Sequence, residues 1–309
     1  MKFIKNFLIV SRGNIQIASL PTATLGILLA AKNWKDIFNL PVLLYILLFF
    51  IVLTYSCNIN CLSDLGVDEK YKKYLSDAVK SLGISKLRIL MTIELLAAST
   101  IIIFLCLLKK EIIYLLAILS IICGHIYSAP PLRIKKRGIL SPLPVMFGLY
   151  FLPIIAGGFI ITNKLSAFII LFGLGYALIM QGIIFINTCE DYEEDKISGI
   201  RTLAHVYGIK KVLFLGSIFV SVGGFIDLIL ICYKIKLNSI KIMPFMFILI
   251  LGIFFLISVV NISKNLYFMS LSKDPSKLCK KNAGKMPKWF LKTRYPLFFI
   301  SLLLIFMTQ

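Results

Sequence analysis

The chain has 309 residues, of which 59% are hydrophobic and 16% are charged, and its formal net charge at pH 7 is +20. Soluble globular domains are about 45–50% apolar and about 25% charged, so this composition excludes an ordinary soluble protein. It is also far too apolar for a disordered chain. The seven Cys and two His residues show no CxxC pair and no spacing typical of a zinc site, and they are too sparse for a disulfide scaffold.

Nine apolar segments follow one another along the chain, and each is long enough, or nearly so, to cross about 30 Å of hydrocarbon. Their predicted limits are 14–31, 41–60, 87–107, 112–129, 139–162, 165–187, 211–232, 242–262 and 295–308. Pro21 lies inside the first segment and is expected to kink it. The sequence therefore predicts an all-α, polytopic membrane protein in which residues 1–309 form one membrane domain.

The basic residues predict how the chain is oriented. Most of the 34 Lys and Arg residues lie on one side if the N-terminus and the even-numbered loops share a compartment, and the largest group runs from Lys264 to Arg294. By the positive-inside rule that side is the cytoplasm, and an odd number of spans leaves the C-terminus outside. Because Lys and Arg separate the apolar runs, an anionic membrane surface explains them, and no nucleic-acid partner is predicted.

Nine of the 14 carboxylates crowd into two short windows at predicted cytoplasmic ends of spans. Both windows have the form N-x₃-D-x₃-D, first at Asn60, Asp64 and Asp68 and then at Asn187, Asp191 and Asp195. A spacing of four places side chains on one helical face, and crowded carboxylates repel one another unless a cation lies between them. Their oxygen ligands suit Mg²⁺. The repeat suggests two related halves, roughly 1–138 and 139–309, around a central cavity that opens near the cytoplasmic side.

Basic segments follow the fourth span and the second acidic motif. The first reads HIYSAPPLRIKKRG at 125–138, where Pro130 and Pro131 stop the helix and Arg133 and Lys135 are candidate donors to phosphate oxygens. The second contains GIRTL at 199–203, where Arg201 is another candidate donor. These segments predict a diphosphate site beside the carboxylates.

Taken in order, these motifs resemble the UbiA superfamily of intramembrane prenyltransferases. The two N-x₃-D-x₃-D windows are similar to its two aspartate-rich motifs, YSAPPLRIKKRG at 127–138 is similar to its loop after the fourth span, and Arg12 and Asn14 are similar to its polar entry segment. The chain departs from the family at Cys61, where many members have Asp, and at 71–83, where many have an Arg-Pro element. Lys70, Lys72 or Lys73 would take the place of that Arg.

The resemblance implies transfer of an isoprenoid chain from a prenyl diphosphate to an acceptor in the lipid bilayer, with Mg²⁺ as cofactor. The implied metal set is Asn60, Asp64, Asp68, Asn187, Asp191 and Asp195. The implied diphosphate set is Asn60, Asn187, Arg133, Lys135, Arg201, Lys73, Arg12 and Asn14. Tyr127 is expected to steady either the allylic cation or the acceptor. The oligomeric state is left open.

Two acceptor classes and one different function stay open. An aromatic acceptor on a quinone route is preferred, because the loop at 127–138 looks most like that subgroup, and a glycerophosphate-type lipid is the alternative. A cation or proton transporter that uses intramembrane carboxylates is a further alternative. Glu94 and Asp227 lie inside predicted spans, and the sequence assigns them no role.

Overall fold

The computed structural model describes residues 2–237 and 242–307, and every regular element in these ranges is helical. The α-helices are α1 (Lys2–Val10), α2 (Gly13–Ala18), α3 (Leu20–Ala30), α4 (Trp34–Ile37), α5 (Leu40–Ser63), α6 (Leu65–Tyr71), α7 (Lys73–Leu82), α8 (Ile84–Leu107), α9 (Glu111–Ser128), α10 (Leu143–Val145), α11 (Leu152–Thr162), α12 (Ala167–Glu190), α13 (Tyr192–Ile197), α14 (Leu203–Tyr207), α15 (Ile209–Leu237), α16 (Ile242–Leu271), α17 (Pro275–Ala283) and α18 (Met286–Met307). Two 3₁₀ turns, Ile134–Lys136 and Gly138–Leu140, and a π-helical turn, Met146–Phe151, lie between α9 and α11. The all-α prediction is confirmed.

Eight stretches of the described chain are long and apolar enough to cross a membrane. They are Gly13–Ala30, Leu40–Ser63, Ile84–Leu107, Glu111–Ser128, Gly138–Thr162, Ala167–Glu190, Ile209–Lys236 and Pro244–Leu271. The ninth predicted segment, 295–308, falls on α18 except for residue 308, which lies outside the described residues. The prediction of a polytopic membrane protein with about nine spans is therefore confirmed, and nine is an approximate count.

Two predicted boundaries differ from the structure. The first span is broken at Ser19 between α2 and α3, and Pro21 lies in the first turn of α3, where its missing N–H leaves no hydrogen bond unmade. The eighth span runs to Leu271, so that Lys264 lies within α16, and Arg294 lies within α18. Hydropathy ends a span at its first charges, whereas a helix continues as long as its backbone hydrogen bonds are satisfied.

The best-buried of the candidate spans in the described chain is α12, and it packs between α15, α18, α3 and the π-helical turn. Its side chains Phe172, Tyr176 and Phe185 are almost completely buried. By contrast, α8 exposes Ile89 and Ile93 and further apolar side chains along one face, as expected of a helix that borders lipid. The interior of the bundle is thus organised around α12.

The tightest contact between spans joins α3 to α11 at Gly26. A Cβ atom added at Gly26 would lie 2.0 Å from the carbonyl oxygen of Ile154 and 2.8 Å from the backbone nitrogen of Gly158. These are backbone atoms, which cannot swing away as a side chain can. Only glycine at position 26 allows the two helices to approach this closely.

We expect the substitution Gly26→Ala to lower the thermal unfolding temperature of the detergent-solubilised protein. The two helices must separate to admit the methyl group, which costs about 1–3 kcal/mol. The matched control is Gly252→Ala in α16, where an added Cβ meets no atom within 4 Å. Because alanine is the better helix former, this control should keep or slightly raise the unfolding temperature. Equal unfolding temperatures for the two variants would contradict the assigned contact.

Candidate active site

Each acidic motif straddles a break between a long helix and a short one. In the first motif α5 ends at Ser63, Asp64 stands at the break, and α6 begins at Leu65. In the second motif Asp191 stands at the same kind of break between α12 and α13. The N–H of each Asp still donates to the carbonyl of the motif's Asn, at 3.0 Å for Asp64 and 3.1 Å for Asp191. The four-residue spacing therefore keeps the three side chains of each motif together across the break.

Both motifs line one cavity of about 870 Å³. Its polar wall holds Asn60, Asp64, Asp68, Asn187, Asp191, Asp195, Arg12, Asn14, Lys72, Tyr127 and Lys135. Its apolar wall includes Leu48, Phe49, Val52, Leu53, Ile113, Leu116, Leu149, Leu152 and Ala156. The cavity thus has a charged wall and an apolar wall, which suits a ligand with an anionic head and a hydrocarbon tail.

In the first motif Asn60 links the entry segment to the carboxylates. Its Oδ1 accepts a hydrogen bond from Nη2 of Arg12 at 2.9 Å. Its Nδ2 donates to Asp64 Oδ2 at 3.2 Å and to Ser128 Oγ at 3.0 Å. The amide is therefore held in one orientation by three different elements, and Arg12 is fixed beside the cavity.

Asp64 is ion-paired to two basic residues of the loop after α9. Arg133 Nη2 donates to Asp64 Oδ1 at 2.8 Å and to the carbonyl oxygen of Ser63 at 2.9 Å, while Lys135 Nζ contacts both oxygens of Asp64. Burial lowers the pKa of Lys135, and the charge of Asp64 acts in the opposite direction. Arg133 holds Asp64 without lining the cavity, whereas Lys135 faces it.

In the second motif the cation comes from the other half of the chain. Lys72 Nζ lies 3.4 Å from Asp191 Oδ2, and Asn187 Nδ2 donates to the same oxygen at 3.3 Å. Lys72 stands between α6 and α7, directly after the first motif. It therefore connects the two acidic motifs across the cavity. Its neighbour Lys73 is exposed and does not line the cavity.

Of the four Asp residues in the two motifs, Asp68 and Asp195 form no ion pair in the described part of the chain. Neither side chain makes a hydrogen bond or an ion pair with another part of the chain that the structure describes. Burial raises the pKa of Asp68, and the charge of Asp64 adds to the effect. Burial, together with the charge of Asp191, raises the pKa of Asp195 to about 7. A bound cation would favour the ionised form of both groups.

The donor set fits Mg²⁺ shared with a phosphate ligand. It consists of four carboxylates and two amides with no soft ligand among them, which is the chemistry that Mg²⁺ prefers. Within residues 2–237 and 242–307, no three or more Asp, Glu, His or Cys side chains come together closely enough to hold a metal ion by themselves. Mg²⁺ is commonly bound through one or two carboxylates plus substrate phosphates, so carboxylates supplied in separate pairs are compatible with it.

The remaining residues of interest are distributed unevenly. Tyr127 and Asn14 line the cavity as expected, whereas Arg201 is exposed outside it and contributes only its carbonyl, which accepts from the N–H of Gly138 at 2.7 Å. Glu94 and Asp227 do not line the cavity either. Glu94 accepts a hydrogen bond from Asn58 Nδ2 at 2.7 Å, and both carboxyl oxygens of Asp227 are buried without a hydrogen-bond partner.

Gln181 and Arg294 are among the polar residues of the cavity wall that sequence reasoning missed. Gln181 lies in the middle of an apolar span, where a lone amide carries no motif. The sequence predicts Arg294 as part of the cytoplasmic loop, because the first charges of a helix look like the end of a loop. Extending the ninth predicted helix back toward Met286 would include Arg294 in it.

The order of motifs and the fold both lead to one family. A sequence model of the UbiA prenyltransferase family matches residues 19–280, which is most of the chain. The chain belongs to this family. The resemblance inferred from the two acidic motifs and the loop at 127–138 is therefore confirmed.

Among curated UbiA-like proteins, the chain is 30% identical over 176 residues to probable homogentisate phytyltransferase 2, chloroplastic, of Oryza sativa subsp. japonica. The match covers 53% of this chain and 44% of the relative, so the chain spans less than half the length of the curated relative that it matches.

Solved structures show the same fold. A structure of digeranylgeranylglyceryl phosphate synthase superposes with a TM-score of 0.70 at 17% identity and covers 98% of this chain and 99% of its own. A UbiA homologue from Archaeoglobus fulgidus bound to GPP and Mg²⁺ gives 0.58 at 16% identity, with 95% and 99% covered. At these identities the likeness concerns the fold alone.

We expect Lys72→Gln to weaken binding of Mg²⁺-diphosphate more than Lys73→Gln does. Lys72 faces the cavity and neutralises Asp191, whereas Lys73 points into solvent. Loss of one charge-assisted contact corresponds to about a tenfold weaker affinity or more. Isothermal titration of the detergent-solubilised protein with diphosphate in Mg²⁺ buffer measures the difference. A larger loss of affinity for Lys73→Gln than for Lys72→Gln would contradict the position of Lys72 in the cavity wall. It would favour the sequence-based expectation that Lys73 binds the diphosphate.

Proposed function

We propose that this protein transfers a prenyl group from a prenyl diphosphate to an acceptor within the membrane and that the reaction depends on Mg²⁺. The observation that carries the proposal is the pair of Asn/Asp motifs at the α5–α6 and α12–α13 breaks, which line one cavity together with Arg12, Lys72 and Lys135. Membership of the UbiA prenyltransferase family supports it. A homologue of the same fold that binds GPP and Mg²⁺ supports the nature of the donor and of the metal.

The carboxylates of both motifs would hold Mg²⁺ against the diphosphate. The ion would supply positive charge where negative charge develops on the leaving group. Arg12, Lys72 and Lys135 would bind phosphate oxygens and stabilise the same charge as the bond from C1 to oxygen breaks. The acceptor then forms its bond to C1 and gives up a proton, and diphosphate leaves. Asn60 and Asn187 orient the carboxylates beside them.

The apolar wall of the cavity would hold the prenyl tail. Leu48, Phe49, Leu116 and Leu152 belong to this wall, and it continues from the charged region without another cluster of charges. A dry environment strengthens the electrostatic contacts to the diphosphate and keeps water away from the allylic cation. Tyr127, which lines the same cavity, would steady that cation through its ring.

An aromatic acceptor is the first choice. The relative from Oryza sativa is named for homogentisate, which is an aromatic compound, and it is 30% identical over 53% of this chain. A glycerophosphate-type lipid is the second choice, since the fold is shared with digeranylgeranylglyceryl phosphate synthase. A transporter is less well supported, because Glu94 and Asp227, the carboxylates deepest in the spans, do not line the cavity.

We expect wild-type protein to bind non-hydrolysable prenyl diphosphate analogues only when Mg²⁺ is present and Asp191→Asn to lose this binding. The amide keeps the size of the side chain and removes the charge that holds the cation. Glu193→Gln is the matched control, because Glu193 lies on α13 two residues away, is exposed and does not line the cavity. Isothermal titration with analogues of increasing chain length measures affinity and reports the preferred tail.

Turnover is tested in the same preparation. Mass spectrometry of the products identifies which acceptor is prenylated when an aromatic hydroxy acid and a prenylglyceryl phosphate are offered together. Folded wild-type protein that shows no Mg²⁺-dependent binding at any chain length would overturn the transferase proposal. Cation or proton flux in liposomes without a prenyl substrate would then favour a transporter.

We also propose that the N-terminus and the acidic motifs face the cytoplasm and that the C-terminus lies outside. The distribution of Lys and Arg supports this orientation. In a cysteine-free background, a membrane-impermeant maleimide should label Asn163→Cys in intact cells and should label Lys273→Cys only after the membrane is opened. Both positions are exposed and lie on opposite sides in the proposed topology. The reverse labelling pattern would invert the topology.

A further inference from the structure

Arg294 is a buried cation on the wall of the cavity. It lies in α18, is 3% exposed, and lines the cavity together with Tyr150 and Gln181. Its Nη1 donates to the carbonyl oxygen of Ala18 at 2.7 Å, and its Nε lies 3.2 Å from the sulfur of Met180. The guanidinium carbon lies 4.5 Å from the ring centroid of Phe290 and 5.5 Å from that of Tyr150. These contacts fix the group rigidly in the wall.

The protein provides Arg294 with no anion. Among the described residues, no carboxylate lies within ion-pair distance of it. The guanidinium has five N–H donors. One meets a carbonyl, one a thioether sulfur, which is a weak acceptor, and one reaches the hydroxyl of Tyr150 at 3.5 Å. Two donors are left for a ligand in the cavity, and the positive charge meets only the faces of two aromatic rings. A charge at this depth is costly, and such charges in membrane proteins mark binding sites.

Gln181 is a second, independent sign of a ligand in the same cavity. Its side chain is 1% exposed and lines the cavity, and its Oε1 is buried without a hydrogen-bond partner. It follows Met180, the residue that contacts Arg294. A buried amide oxygen without a donor is destabilising, so a donor supplied by a ligand would recover that cost. A hydroxyl group is such a donor.

The donor diphosphate does not account for this pair. Gln181 lies ten residues before Asp191, which is about 15 Å along the helix axis at a rise of ~1.5 Å per residue. The diphosphate has its own basic residues, Arg12, Lys72 and Lys135, beside the acidic motifs. A prenyl tail, in turn, has no group that would pair with a guanidinium. The ligand at Arg294 is therefore a different molecule or a different part of one.

We propose that Arg294 and Gln181 form the binding site for an acceptor that carries both an anionic group and a hydroxyl. Arg294 would pair with the carboxylate or phosphate of the acceptor through its two free N–H groups. Gln181 would accept a hydrogen bond from the hydroxyl of the acceptor. An aromatic hydroxy acid and a glycerophosphate lipid with a free hydroxyl share this chemistry. The assignment rests on the proposed prenyl transfer and adds to it the class of acceptor.

The test measures acceptor binding directly, with the donor site already occupied. The full chain in detergent is saturated with Mg²⁺ and a non-hydrolysable geranyl thiolodiphosphate, whose binding is measured first and reports on the proposed function by itself. Four probes follow, as two matched pairs: 4-hydroxybenzoate with phenol, and a prenylglyceryl phosphate with the prenylglycerol that lacks the phosphate. The variants are Arg294→Gln, Arg294→Lys and Gln181→Leu. Lys292→Gln, on the exposed face of α18 and outside the cavity wall, is the control.

We expect wild type to bind one of the two acids at least tenfold more tightly than its neutral partner. Whether that acid is the carboxylate or the phosphate identifies the anionic group of the acceptor. The proposal expects Arg294→Gln to weaken binding of that acid about ten- to a hundredfold, as loss of a charged hydrogen bond does, with no change for the neutral partner or the donor analogue. Arg294→Lys should restore part of the affinity and Gln181→Leu should weaken both members of the pair. If neither acid is preferred by wild type, or if Arg294→Gln weakens the donor analogue and all four probes equally, the proposal is overturned and Arg294 serves only to hold Ala18.

Discussion

Asp64 and Asp191 stand at the ends of two different helices, and the carboxylate of each is held by a cation from elsewhere in the chain. Lys135 and Arg133, from the loop after α9, pair with Asp64, and Lys72 reaches across the cavity to Asp191. Removing one partner of a buried pair such as Asp64 and Lys135 costs about 3–5 kcal/mol. The break after α5, the break after α12 and the basic loop are therefore fixed relative to one another by charge, and the polar end of the cavity takes its shape from these pairs.

The same pairing leaves Asp68 and Asp195 without a cation. Burial, together with the charges of Asp64 and Asp191, raises the pKa of Asp68 and of Asp195. Their presence at the wall of a cavity is explained if a divalent ion completes the charge balance when a diphosphate is bound. Under the proposed function, the site would bind an ion and an anion together rather than either alone.

The grouping of the motif side chains can be predicted from the sequence, because it follows from local periodicity. The four-residue spacing of Asn60, Asp64 and Asp68 predicts a shared face. The backbone hydrogen bonds from Asp64 to Asn60 and from Asp68 to Asp64 continue this spacing across the helix break. The sequence does not predict which of Lys72 and Lys73 faces the cavity. The backbone at Lys72, with φ of −133° and ψ of 53°, leaves the helix and decides which neighbour faces the cavity, and no sequence pattern reports such a turn. The exposed position of Arg201 likewise depends on how α14 packs, which is a tertiary fact.

The polar residues deep in the spans show what decides between structure and function. Asn58 and Glu94 satisfy one another in part, and Asp227 is enclosed against α12 so closely that a Cβ at Gly175 would lie 2.3 Å from its Oδ1. Neither carboxylate reaches the cavity. Arg294 is buried like Asp227, yet it lines the cavity, as does Gln181 with its unpartnered oxygen. Depth in the membrane makes every one of these groups expensive. Only a group on the wall of the cavity can contact a bound ligand. Arg294 meets this condition, whereas Glu94 and Asp227 do not.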